Sequence, residues 1–144
     1  MPSHTELSQL LRRVLYKMVT IQSKVMKHEL TDSQVFLMQM LSYHGPMRCS
    51  DLAEELHITM PAVTNLTNKL VQKGFIERAV SEHDRRSILL SITTGGATVL
   101  SQVNEQHARL MDIVWSGFTE EELNQLLLSC RKLEIQLNRI SNGA

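Results

Sequence analysis

The sequence predicts a mainly α-helical chain in which a helix-turn-helix unit carries a small β-hairpin and is flanked at both ends by long helices. Three observations lead there. Apolar residues recur at three- and four-residue spacing toward both termini, two short helices stand close together in the middle, and two alternating strands with a polar tip follow them. Composition agrees, because aromatic residues are only 4% of the 144. The core must then be built from Leu, Ile, Val and Met, which favours helices over a β-sandwich.

The elements follow in order. Leu7, Leu10, Leu11, Val14, Leu15, Met18, Ile21 and Val25 form one stripe of a first helix, from about His4 to Lys27. Ser3 with Glu6 fits a capping box at its start, the hydroxyl accepting from the backbone while the carboxylate reaches back. Thr31 with Gln34 repeats that spacing and predicts a second helix from Asp32 to about Tyr43, ended by Gly45-Pro46. Ser50 is the expected cap of a third helix, Asp51 to Leu56, with Leu52, Ala53 and Leu56 buried. Thr59 opens a fourth, Pro61 to about Lys73, which buries Val63, Leu66 and Leu70 and is closed by Gly74. The linker His57-Ile58-Thr59 makes the pair a helix-turn-helix candidate.

Phe75 to Val80 and Ser87 to Thr93 read as strands, the second with Ile88, Leu90 and Ile92 on one face, around the tip Ser81-Glu82-His83-Asp84-Arg85-Arg86. A helix-turn-helix followed by a basic-tipped hairpin describes a winged helix. Thr93-Thr94-Gly95-Gly96 leads into a long helix with Val99, Val103, Leu110 and Val114 apolar, ending near Gly117. Thr119 and Glu122 box the start of the last helix, with Phe118 against Leu123 as a hydrophobic staple. That helix sets Leu123, Leu126, Leu127, Cys130, Leu133, Leu137 and Ile140 on one stripe, where Cys130 is expected to pack as a small hydrophobe.

Several function classes are excluded. No apolar run approaches the roughly 18 residues of a membrane span, and Met1 to Leu10 lacks the regions of a signal peptide, so a cytoplasmic protein with no membrane partner is expected. Cys49 and Cys130 are then expected as reduced thiols. No Walker A, dinucleotide fingerprint, HExxH or nucleophile elbow occurs. His4, His28, His44, His57, His83 and His107 are scattered singly, and neither cysteine has a neighbour at metal-ligand spacing. Neither an enzyme nor a cofactor or metal site is expected. Charge is balanced overall at fifteen Lys+Arg against fifteen Asp+Glu, but it is local in distribution. Residues 59–88 carry Lys69, Lys73, Arg78, Arg85 and Arg86 against Glu77, Glu82 and Asp84, a net of +2, while residues 95–144 carry a net of −2.

Ser50-Asp51-Leu52-Ala53, the run from Ile58 through Lys73-Gly74-Phe75-Ile76-Glu77-Arg78, and Asp84-Arg85-Arg86 followed by Leu90 to Gly96 resemble the MarR family of bacterial transcriptional regulators. The resemblance implies a winged-helix dimer whose helix 61–73 lies in the major groove and whose wing reaches the minor groove. With Val63, Leu66 and Leu70 buried, Pro61, Ala62, Thr64, Asn65, Asn68 and Lys69 are left outward. Asn65 and Asn68 suit adenine edges, Thr64 a thymine methyl, and Lys69 a phosphate or guanine. Ser50 and Thr59 at the helix starts and Asp84, Arg85 and Arg86 on the wing complete the candidate DNA contacts. Alternation along a strand would point Arg85 and Arg86 apart; the family's Asp-x-Arg spacing, which the resemblance carries onto Asp84 and Arg86, implies Arg86 as the one for the minor groove, with Asp84 bracing the tip.

Two readings of this face remain open beside DNA contact: a solvated helix surface, or a module for protein assembly without sequence-specific DNA binding. Residues 31–94 form the expected DNA-binding unit, and residues 1–30 and 95–144 the dimerisation helices. A helix of about 24 residues is roughly 36 Å long, more than the central unit can cover. The resemblance also implies a ligand-released repressor on a palindromic operator, with a small-molecule pocket. Arg13, Tyr16, Lys17, Tyr43 and His44 are its candidate lining, a cationic and phenolic set suited to an aromatic carboxylate or phenol.

Overall fold

A computed structural model describes Met1 and residues 3–143. The helices are α1 (His4–Val25), α2 (Asp32–His44), α3 (Cys49–Leu56), α4 (Met60–Gln72), α5 (Thr94–Trp115) and α6 (Glu120–Gly143), and the strands β1 (Ile76–Val80) and β2 (Ile88–Ile92) stand between α4 and α5. Local chemistry sets most of these bounds. Thr31 and Gln34 close a complete capping box, the Thr31 N–H donating to Gln34 Oε1 at 2.9 Å and the Gln34 N–H to Thr31 Oγ1 at 3.2 Å. Thr119 and Glu122 do the same before α6. At Ser3 the hydroxyl accepts from the Glu6 N–H at 3.1 Å. Phe118 sets its ring edge on Trp115 at 5.7 Å between centroids.

α3 begins earlier than expected, and Ser50 is not its cap. The Asp51 carboxylate accepts from the Arg48 backbone N–H at 3.4 Å and from Arg48 Nε at 3.2 Å, so the helix starts at Cys49 and Ser50 stands exposed within its first turn. The guanidinium beside it holds the Asp51 carboxyl below its ordinary value of 3.8.

One core serves the central unit. Leu37, Met38 and Leu41 of α2, Leu52 of α3, Val63 and Leu70 of α4, Ile76 and Leu90 of the hairpin, and Leu100 and Val103 of α5 are all buried. Thr67 shares the inner face of α4 with them, its Oγ1 without a hydrogen-bond partner among the described residues. The hairpin pairs Ile76 with Ile92, Arg78 with Leu90 and Val80 with Ile88. Leu90 also exchanges two hydrogen bonds with Met47, the Leu90 N–H donating at 2.7 Å and the Met47 N–H at 3.0 Å, which ties the hairpin to the segment between α2 and α3. Leu90 and Ile92 face inward as expected, but Ile88 is exposed because the Val80 to Ile88 pair projects beyond the core.

The hairpin is locked to α5 by a close approach. The Thr93 N–H donates to the Phe75 carbonyl at 3.0 Å, the Thr93 hydroxyl donates to the Gly74 carbonyl at 2.6 Å, and the same oxygen accepts from the Gly96 N–H at 3.0 Å. Gly96 is buried, and a Cβ there would meet the Phe75 carbonyl oxygen at 2.0 Å. By contrast, α1 and α6 bury no residue at all. Leu10, Leu11, Val14 and Leu15 on α1 and Leu127, Leu133, Leu137 and Ile140 on α6 stay exposed in the single chain, and Cys130 is exposed with them rather than packed.

Two outcomes follow for stability. Gly96→Ala should destabilise the chain by about 2 kcal/mol in thermal or urea unfolding, because a backbone oxygen has to shift. A gain of about 1 kcal/mol, the ordinary helix-propensity effect, would contradict the close approach. For Asp51, a lowered folded pKa means its contribution is present at neutral pH and fades as pH falls below the unfolded value of 3.8 toward the folded one. Asp51→Asn should therefore be less stable than the parent at pH 7, with the gap closing on acidification; a gap constant from pH 7 to pH 2 would contradict it.

Candidate nucleic-acid interface

The exposed half of α4 is set by its buried half. With Val63, Thr67 and Leu70 inside, Pro61, Thr64, Asn65, Asn68 and Lys69 are exposed, and Ala62 is half-buried. Thr59 uses its hydroxyl locally, accepting from the Ala62 N–H at 3.3 Å as the cap of α4. His57 makes the tight link from α3, the sole non-glycine residue at positive φ among those described. Asn65, Thr64 and Lys69 make no side-chain hydrogen bond or ion pair among the described residues.

Asn68 differs from its neighbours. The Arg78 guanidinium on β1 donates to its side-chain carbonyl, so Asn68 is not the unengaged amide that a bidentate pairing with adenine needs. Arg78 was not among the residues singled out from sequence. The signal that would have found it is the strand alternation that puts it on the face of Ile76 and Leu90, toward α4.

The wing tip is a turn rather than a strand. Residues 81–87 lie outside both strands, so alternation does not govern where Arg85 and Arg86 point. Asp84 organises this turn: its carboxylate accepts from the Arg86 N–H at 3.0 Å and from the Ser87 hydroxyl at 3.1 Å. The Ser81 hydroxyl accepts from the N–H groups of His83 and Asp84, and the Ser81 N–H donates to the Ser87 carbonyl at 2.9 Å. Arg85 and Arg86 are both exposed, and neither side chain donates a hydrogen bond among the described residues.

A cleft of about 620 Å³ opens where α1, α2 and α5 converge, lined by Val19, Met26, Leu30, Phe36, Val103 and His107 among others. None of Arg13, Tyr16, Lys17, Tyr43 or His44 lines it. The α1 trio lies earlier on the helix than Val19, and Tyr43 and His44 stand past the lining part of α2, their rings in edge contact at 4.8 Å. Tyr16 is 71% and Tyr43 83% exposed. No group of three His, Cys, Asp or Glu side chains that could hold a metal occurs among the described residues. No described helix is long and apolar enough to cross a membrane.

Comparison with known proteins bears on this surface. The sequence profile of the MarR family matches residues 30–88. The uncharacterized HTH-type transcriptional regulator YwhA of Bacillus subtilis (strain 168) is 30% identical over 98 residues, covering 68% of this chain and 70% of that protein. The HTH-type transcriptional repressor MdtR of the same organism is 34% identical over 99 residues, 69% of this chain and 64% of its own length. The structure of FabT from Streptococcus pneumoniae, solved in complex with DNA, superposes with a TM-score of 0.84 at 21% identity, covering 96% of this chain and 99% of that one, a likeness of fold.

Proposed function

The chain belongs to the MarR family, and on that premise we propose that it is a cytoplasmic DNA-binding transcriptional regulator, a homodimeric repressor of a palindromic operator released by a small ligand, with no catalytic activity. The observation that carries the reading is the uncovered polar face of α4 beside a hairpin whose tip exposes two arginines. Thr64, Asn65 and Lys69 have no competing side-chain partner among the described residues, so they are available to base edges and phosphates, with Pro61, Ala62, Ser50 and Thr59 alongside at the helix starts. The N-terminal turns of such a helix are the part that meets base edges in the major groove. At the wing, Asp84 fixes the turn through the Arg86 N–H, and an arginine held at a narrow A·T-rich minor groove is attracted by its concentrated negative potential.

The dimer is supported by the apolar stripes of α1 and α6, residues 1–30 and 95–144 acting as the dimerisation region around the reading unit 31–94. Neither helix buries a residue in one chain, which a second copy would remedy. One recognition helix reads few base pairs, while two related by a dyad read an inverted repeat. The ligand site supported by the geometry is the cleft between α1, α2 and α5, whose apolar part (Val19, Met26, Leu30, Phe36 and Val103) and rim of His107, Asn104 and Gln39 suit a small amphipathic or aromatic molecule.

Binding to duplex DNA selected from a random pool should weaken steeply with salt, because phosphate contacts release counterions. Arg86→Ala should lower that slope by about two, one phosphate-side contact per wing and two wings per dimer. An unchanged slope would remove Arg86 from the interface, and a shallow slope for the parent chain would indicate a protein partner in place of DNA.

A further inference from the structure

Arg78 stands on β1 two residues after Ile76 and directly opposite Leu90. Successive strand residues face opposite sides and directly paired residues face the same one, so Arg78 leaves the hairpin on the side of Ile76 and Leu90. Both of those are buried. The guanidinium is thus directed toward α4, whereas Glu77, its neighbour in the chain, belongs to the opposite side. Arg78 makes no ion pair among the described residues; its hydrogen-bond partner is the side-chain carbonyl of Asn68.

A guanidinium has donors and no acceptor. The Asn68 amide oxygen must therefore face Arg78, and the amide nitrogen with its two hydrogens turns away from the hairpin. We propose that Arg78 is a positioning residue for base recognition: by holding the Asn68 carbonyl it presents the Asn68 Nδ2 hydrogens as donors, so that this position of α4 favours the acceptors guanine O6 or thymine O4 over adenine, which shares N7 with guanine but sets the N6 donor where guanine has O6. Reading adenine needs the asparagine to donate to N7 and accept from N6 along one base edge. An amide whose oxygen is turned to the hairpin cannot lay both atoms along that edge. The selectivity of the helix is then set partly by a strand that need not touch DNA. The inference rests on the reading of α4 as the helix that enters the groove.

The test is selection from random duplexes with the full chain, comparing the parent with Asn68→Ala, Arg78→Met and the double variant. Arg78→Met keeps an aliphatic stem and loses the donors. The parent should select guanine or thymine at one position in each half-site. Asn68→Ala and Arg78→Met should each flatten that same position by about five- to tenfold, with no further loss in the double variant and no change in salt slope. An adenine in the parent profile at the position that Asn68→Ala flattens would overturn the inference without any reliance on Arg78→Met folding normally. So would an Arg78→Met profile that keeps the base preference and loses salt slope, which would make Arg78 a phosphate contact. If the parent selects no sequence at all, the reading of α4 as a groove helix fails and this inference falls with it.

Discussion

The constraint on which the rest depends is that the hydrophobic core closes around the central unit and the start of α5 and leaves the first and last helices outside it. Among the described residues, every buried apolar side chain lies from Leu30 to Val103. α1 and α6, of 22 and 24 residues, carry clear apolar stripes and bury nothing. Burying a Leu or Ile side chain stabilises by about 1.5 to 3 kcal/mol, so several such residues left in water on each helix represent a large free energy available to association. A second copy supplied by a dyad can cover both stripes and at the same time duplicates the outward face of α4. In the proposed dimer, packing and recognition are in this way consequences of one arrangement.

The hairpin is held from two sides, and this is what gives its tip a defined position. Leu90 is bonded to Met47 across the gap before α3, and Thr93 and Gly96 hold the strand ends against Gly74 and Phe75 at the end of α4. The fixed base contrasts with the tip, where order comes from Asp84 and Ser81 side chains capping backbone N–H groups. A second link of the same strand to α4 runs through Arg78 and Asn68. Because the wing and the helix share these contacts, displacement of one is felt by the other.

Much of the fold was legible because its boundaries are written in short-range chemistry. The capping pairs at Thr31 and Thr119, the Gly45-Pro46 stop and the alternation of Leu90 with Ile92 act within a few residues. So did the outward set on α4, which follows from helical periodicity once Val63 and Leu70 are inside. What escaped was long-range or competing. Arg48 was displaced from notice by Ser50, a better cap by residue type, because the Asp51 carboxylate supplied the bond instead. The Met47 bridge joins residues 43 positions apart, which periodicity does not reveal; alternation puts Arg78 on the inner side of its strand, but not opposite Asn68, ten residues away. The position of the cleft was not legible either: Tyr16 and Tyr43 have the chemistry of a binding site, but the faces that line the cleft between α1, α2 and α5 carry other residues.

The most direct measurement is sedimentation equilibrium of the full chain, alone and with a duplex taken from the selected pool. The proposed dimer predicts a species of twice the 16.4 kDa chain mass that binds one duplex as a pair, its two half-sites separated by about one helical turn. A chain that stays monomeric while folded, or that binds the selected duplex one copy at a time, would contradict the assignment of α1 and α6 to the dimer and with it the paired reading of DNA.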